Sequence, residues 1–291
     1  MAHYHDEALK EVAVETQRIL AAGGYTHKSG TEVRFGEAIA HAVKHTVTLS
    51  PQQTNTMLAT YGARAIEFGP ASAEKTRIEV TGETSQQAAH RVVVDEGAEH
   101  IAVLNFASAL KPGGGFLSGA RAQEEDLARC SALHPCLIKQ NVPGGFYAQH
   151  RRARSHLYSD AAIYSPAVPF FRVRSKSLLD HVYAAGVLTM AAPHMRKLEK
   201  IRDDAEAVVE STFRKRVGAM FAVAQSNAHR TLILGAWGCG VFGCDPDMVA
   251  SSFRRWLDGC FAGAFDRIVF PIYDPRPHQP LRHTFESHLT T

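Results

Sequence analysis

Two stretches of the chain place chemically capable side chains beside glycine-rich turns. The first runs Gly113-Gly114-Gly115, then seven residues, then Gln123-Glu124-Glu125-Asp126. Consecutive glycines let backbone N–H groups turn to one side and let a ligand approach without meeting a Cβ. A diphosphate or a ribose needs such a surface. Paired carboxylates are the equipment for cleaving a glycosidic bond. Neighbours on a helix project about 100° apart given its 3.6-residue turn, so one glutamate can address the scissile oxygen while the other holds a sugar hydroxyl. Acids in a first helical turn also complement the helix dipole with no chemistry implied, and an isolated Gly-Gly-Gly is commonly a surface turn. The conjunction of the two is what points to a site.

The second stretch is Gly235-Ala236-Trp237-Gly238-Cys239-Gly240-Val241-Phe242-Gly243-Cys244-Asp245-Pro246. Gly238, Gly240 and Gly243 satisfy G-x-G-x-x-G, the fingerprint of dinucleotide-binding oxidoreductases. That fingerprint expects its last glycine inside a helix and an acid ending the next strand about 20 residues on. Here Asp245-Pro246 starts the helix after Gly243, Asp266 precedes the next strand, and Asp274 lies too far along. Two glycine loops at two strand ends instead suggest one extended ligand gripped from both sides. Trp237 is expected to wall that pocket.

These loops need a scaffold. β-Branched runs at Arg77 to Thr81, Ile101 to Phe106, Ala161 to Ser165, Tyr183 to Met190, Thr231 to Ala236 and Arg267 to Tyr273 read as strands. Helical patterns lie between several of them: Thr84 to Glu96, about Ala122 to Ile138, Asp203 to Asn227, and Pro246 to Cys260. Such alternation predicts an α/β domain with a largely parallel sheet covered on both sides, and ligands in such sheets sit beyond the carboxyl ends of the strands. Before it, Asp6-Glu7 opens a helix stopped by Gly23-Gly24, Tyr25 to Phe35 reads as a hairpin turning at Ser29-Gly30, and Gly36 to Leu49 reads as another helix. The stretch from Gln52 to Glu74 is the least patterned, which divides the chain into an accessory region, 1–75, and a catalytic domain, 76–291.

Composition bounds the reading. With 291 residues, 45% hydrophobic and 21% charged, the chain belongs with ordinary folded proteins. A net charge of +3 falls short of a protein that coats nucleic acid, yet backbone N–H groups can hold phosphates without basic side chains. Five cysteines with no Cys-x-x-Cys pair read as reduced thiols. No membrane-length apolar run is seen, so a soluble cytoplasmic protein is expected. Among 16 histidines, His41 and His45 stand four apart without a third ligand, so no metal is expected. Basic clusters at 150–154, 172–176 and 196–202 are expected to be solvated, or to steer a polyanion where one borders the cleft.

The arrangement Gly113-Gly114-Gly115, seven residues, Gln123-Glu124-Glu125 resembles the signature of the poly(ADP-ribose) glycohydrolases, and the loop Gly235 to Gly243 is similar to their second diphosphate loop. The short length and accessory N-terminal region resemble the bacterial-type members. The resemblance implies a macrodomain-like three-layer α/β/α sandwich with a mixed sheet, preceded by a mainly helical accessory region that caps the site and restricts attack to chain ends. It also implies hydrolysis of ribose–ribose bonds without metal or cofactor, in a DNA damage response. It makes poly(ADP-ribose), ADP-ribose and poly-ADP-ribosylated proteins the partners of a monomer that touches neither membrane nor nucleic acid directly.

Carried over by position, the resemblance makes Glu125 the general acid and Glu124 the orienter of ribose hydroxyls, beside Gln123. Asn105 binds the distal ribose, and Gly113, Gly114 and Gly115 contact ribose and phosphate. Gly238, Cys239, Gly240 and Val241 hold the diphosphate, and Phe242 packs on the ribose next to the scissile bond. Glu83 accepts from adenine, and Tyr273 or Phe270 flanks it. A helix N-terminus favours ionised carboxyls, so burial, the charge on Glu124 and the substrate's diphosphate must together keep a proton on Glu125. The rival readings are a non-catalytic ADP-ribose-binding macrodomain and a hydrolase of mono-ADP-ribosyl groups.

Overall fold

The computed structural model describes residues 6–68, 75–174 and 177–290. Asp6 caps α1 (Glu7–Ala22) through the N–H groups of Ala8 and Leu9, and Gly23, in the left-handed region at φ 68°, ends it. A small hairpin follows, β1 (Gly24–Thr26) with β2 (Glu32–Arg34). The next helix, α2 (Gly36–His45), stops short of the expected Leu49. Thr46 turns its hydroxyl back to Ala42 O at 2.7 Å, and the β-branched Val47-Thr48-Leu49 become β3 (Val47–Leu49). Helix α3 (Pro51–Phe68) then occupies most of the stretch least patterned in sequence; residues 69–74 lie outside the described residues.

Beyond them come β4 (Arg77–Thr81), α4 (Ser85–His90) running into a π turn at Arg91–Asp95, and β5 (Ile101–Phe106). The helix expected over Ala122 to Ile138 is two, α5 (Gln123–Cys130) and α6 (Leu133–Lys139). Pro135 has no N–H to continue a ladder and fits only in the first turn of a new helix, and Ser131 leaves the helical path to bridge Phe170. After α7 (Phe146–Ala153), β6 (Ala162–Arg174) and β7 (Ser177–Met190) form a long antiparallel hairpin. Its outer part escaped the sequence reading because Pro166 and Pro169 argue against a strand. A register shift between Ser165 and Val168 accommodates Pro166, and Pro169 stays in register opposite Ala184. The remaining elements are α8 (Met195–Leu198), α9 (Ala205–Ser226), β8 (Thr231–Ile233), α10 (Pro246–Asp258), β9 (Arg267–Pro271) and α11 (Pro280–Leu289).

The central sheet has seven strands in the order β3-β6-β7-β5-β8-β9-β4. Strands β7, β5, β8, β9 and β4 are parallel, and β3 and β6 add antiparallel pairs at one side. The sheet thus draws on both sides of residue 75. Strand parity builds the layers. Ala102, Leu104, Leu232, Ile268 and Phe270 pack with Phe213, Val217 and Phe221 of α9 and Phe253 of α10. Ile101, Val103, Ile233 and Val269 pack with Ala88 and Ala89 of α4, Leu127 of α5 and Leu133 of α6. Asn105 shares the parity of Ile101 and Val103 and so faces the α5 layer. The result is a three-layer α/β/α sandwich whose parallel strands end at one edge, where both glycine loops leave. Among the described residues no helix is long and apolar enough to cross a membrane.

Candidate active site

Gln123 fixes the first loop. Its side-chain oxygen accepts from Phe106 N–H at 2.9 Å, and its amide donates to Leu104 O at 2.7 Å and Ser85 Oγ at 3.0 Å. This stitches the start of α5 to the end of β5 and to α4, so the paired acids stand over the strand end. Gln123→Ala is expected to destabilise the fold by about 1–3 kcal/mol, since buried backbone groups lose their partners. Urea unfolding checks this.

Glu124 is 2% exposed and Glu125 8%. Glu124 accepts from Ser108 N–H at 2.7 Å and from Asn105 Nδ2 at 3.3 Å, and Asn105 in turn reaches Thr189 Oγ1 at 3.2 Å. Glu125 Oε1 accepts from Gly115 N–H at 2.7 Å. The adjacent acids therefore diverge as their helical positions require, one toward β5 and one into the triple-glycine loop. Gly114 lies between them at φ 55°; a Cβ there would overlap Glu125 Oε1 and stand 3.1 Å from Glu124 Oε2. Behind the loop, Phe116 packs with Ala13 of α1 and Ala128 of α5, Gln17 meets His134 at 3.2 Å, and Asp6 N–H donates to Gly119 O at 3.2 Å. The N-terminal helix thus braces the first glycine loop.

Burial pushes the Glu124 carboxyl up to about 8, and the Glu125 charge adds to this against hydrogen bonds from Ser108 N–H, Asn105 and Gly113 N–H. The charge on Glu124 expected from sequence to help Glu125 is therefore largely absent at neutral pH. The ordinary value is 4.5, so the folded state binds this proton more tightly than the unfolded chain. Its stabilising contribution is full below that value and is lost as pH rises toward about 8. Between conditions near pH 5 and pH 8.5, wild type is expected to lose about 1–3 kcal/mol more stability than Glu124→Gln, which cannot ionise. Equal losses in urea unfolding would show that Glu124 is ionised in the folded protein.

The second loop leaves β8 beside the first: a Cβ on Gly235 would come within 3.1 Å of Phe106 and 3.0 Å of Pro271 O. Asp245 caps α10 by accepting from Met248 N–H at 3.2 Å, which puts Gly243 outside the helix and removes the oxidoreductase reading. Gly238 is left-handed at φ 84° and pressed by Cys244 and Ala192, whereas the space a side chain on Gly240 would enter is open. Val241 is exposed, and Cys239 is half-buried with its thiol pushed well above the ordinary range by burial, which suits backbone duty. Phe242 stacks on His194 with ring centroids 4.7 Å apart. Trp237 does not wall the pocket: it is fully buried against Phe213, because it sits on the turn's core side.

Glu83 follows β4 and is gripped by Arg91, which donates to both carboxylate oxygens at 2.9 and 2.8 Å. Arg91 holds this carboxyl below its usual range, and a carboxylate has lone pairs for a further donor. Phe270 is buried between Phe253 and Phe285, so of the two candidate aromatics only Tyr273, 65% exposed, is open to a ligand. The sequence reading missed Ser108, Thr189 and His194. Ser108 acts through its backbone, invisible in a motif; His194 follows β7, and the rule that ligands gather beyond strand ends pointed there. The five cysteines are free. His41 and His45 are exposed, with rings 4.1 Å apart, and no cluster of three or more metal-ligating side chains is found among the described residues.

A mixed sheet between helical layers, with two glycine loops and paired acids at one strand edge, defines a macrodomain-type α/β protein. The family model "Microbial-type PARG, catalytic domain" matches residues 13–173. The chain belongs to this microbial-type poly(ADP-ribose) glycohydrolase family. The structure of poly(ADP-ribose) glycohydrolase from Thermomonospora curvata is 42% identical, with 98% of this chain and 100% of that one covered and a TM-score of 0.89. The same enzyme bound to the inhibitor ADP-HPD matches at 41% identity over 97% and 99% of the two chains, TM-score 0.86. The enzyme from Deinococcus radiodurans in complex with ADP-ribose matches at 38% identity over 86% and 96%, TM-score 0.78. No curated protein matches the chain significantly.

Proposed function

We propose that this chain hydrolyses the ribose–ribose bonds of poly(ADP-ribose) and releases ADP-ribose, with Glu125 as the general acid. The observation that carries the catalytic assignment is the contact of Glu125 Oε1 with Gly115 N–H at 2.7 Å. It fastens one carboxyl oxygen inside the glycine loop, while no described residue hydrogen-bonds Oε2. Relatives crystallised with ADP-ribose and with ADP-HPD support the ligand class.

In this reading Asn105 and Glu124 hold the distal ribose, and Gly113 to Gly115 contact ribose and phosphate. Gly238, Cys239, Gly240 and Val241 bind the diphosphate through the backbone. Phe242, backed by His194, packs against the ribose at the scissile bond, Glu83 accepts from the adenine amino group, and Tyr273 flanks the ring. Glu125 gives its proton to the leaving ribose oxygen as the C–O bond breaks, and positive charge develops at the anomeric carbon. Water then bonds to that carbon and returns a proton to Glu125. A module that only binds ADP-ribose needs the loops and not the glutamate pair, so the placement of both acids favours hydrolysis.

Incubation with poly(ADP-ribose) and, separately, with mono-ADP-ribosylated protein tests the substrate. Free ADP-ribose is expected from the polymer. Release from the mono-modified protein only would make the chain a mono-ADP-ribosyl hydrolase, and release from neither would leave a binding module.

A further inference from the structure

Beside the site lies a groove of about 430 Å³ whose lining includes Arg154, His156, Leu157, Leu198, Ile201 and the Arg202–Asp204 pair. It brings together two basic clusters distant in sequence, one at the end of α7 and one around α8. Segments 150–156 and 194–204 carry seven arginines and lysines against three carboxylates, Glu199, Asp203 and Asp204, an excess above the +3 of the whole chain. Arg202 is paired with Asp204 at 2.6 Å. Arg154, Arg196, Lys197 and Lys200 are exposed and form no ion pair with any described residue. Unpaired cations gathered in two segments that meet at one groove are the electrostatic footprint of a polyanion.

The groove's walls are tied to the two glycine loops. Arg196 N–H donates to Phe242 O at 3.1 Å, and His194 N–H donates to His156 O at 2.8 Å. Arg151, one helical turn before Arg154, donates to Leu110 O, just before the triple glycine, at 2.7 Å. Buried Arg216 joins floor to sheet by donating to Leu157 O at 3.1 Å and Ala191 O at 2.8 Å. The floor is apolar: Leu157 and Leu198 line it together with Ile201, which is 68% exposed. His194, between groove and cleft, is pushed down to about 4, by burial first and then by Lys197 and His156.

When a ribose–ribose bond breaks, the departing ribose carries an adenine and the next diphosphate of the polymer. An apolar floor with unpaired Arg154 on its wall and further unpaired cations on the adjoining segment around α8 fits that pair of groups. We propose that this groove receives the leaving unit, its adenine on Leu157, Leu198 and Ile201 and its diphosphate on Arg154, with Lys200 and Arg196, whose side chain lies over Gly243 of the second loop, adding positive charge alongside. The proposal rests on the site reading given above.

The test is the charge-reversed pair Arg154→Glu/Lys200→Glu, with Arg154→Ala/Lys200→Ala as the milder form, each in a Glu125→Gln background so that nothing is hydrolysed. Binding is measured to long poly(ADP-ribose) and to ADP-ribose. The preference for polymer over ADP-ribose is expected to fall roughly tenfold or more, with a shallower dependence on salt, while affinity for ADP-ribose itself is kept. A polymer preference that survives both variants, or an equal loss for both ligands, overturns the groove assignment. If the preference depends on the groove but wild-type protein releases no ADP-ribose from the same polymer, the groove stands and the hydrolase reading falls.

Discussion

Glu125→Gln is expected to lower turnover on poly(ADP-ribose) by about 10³-fold or more while leaving ADP-ribose binding and the fold in place. Gln has nearly the shape of Glu, and its side-chain oxygen can still accept from Gly115 N–H, the bond that Glu125 makes at 2.7 Å. The first glycine loop therefore keeps its brace. What the amide lacks is a transferable proton for the leaving oxygen and a basic oxygen for the attacking water, and general acid–base help is worth about 10²–10⁴-fold per proton transfer. Steady-state release of ADP-ribose, with calorimetric titration of ADP-ribose into the variant, makes the check. Turnover near wild type would remove Glu125 from the mechanism, and loss of binding and turnover together would recast it as a positioning residue.

Gly114→Ala is the second large effect. At φ 55° an alanine is strained by about 1–2 kcal/mol, and its Cβ would stand 3.0 Å from Glu125 Cδ and 3.1 Å from Glu124 Oε2. Neither carboxyl group can yield easily, since Glu124 is anchored to Ser108 and Asn105 and Glu125 to Gly115. Displacing a reacting group by about 1 Å can cost 10²-fold in rate, so kcat/KM is expected to fall by at least about that factor, with a lower Tm. Gly240→Ala is the matched comparison: a Cβ there meets nothing within 4 Å, so Tm is expected to hold while affinity for ADP-ribose falls. If Gly114→Ala hydrolyses polymer like wild type, the acids are not held by the loop as described.

The sequence was most legible where local rules decide structure. The strands at Arg77 to Thr81 and Ile101 to Phe106 and the helix start at Asp245-Pro246 follow from β-branched runs and capping. It was least legible where distant partners decide. Val47-Thr48-Leu49 is too short to declare itself a strand until β6 pairs with it, and Pro166 and Pro169 mask the length of β6 until β7 supplies the other half of the hairpin. Trp237 sits in a glycine-rich turn that reads as pocket, yet the space facing it is filled by Phe213.

The paired carboxylates and two glycine loops were present as linear motifs, because a helix's first turn and a glycine turn are set by nearby residues. Their divergence, one acid buried on Asn105 and the other clasped by Gly115, required the tertiary structure. So did the choice of Tyr273 over Phe270 and the meeting of the two basic clusters. Burial, strand parity and the convergence of segments some 40 residues apart in sequence depend on how the sheet is ordered and which helices cover it, and no local pattern carries that information.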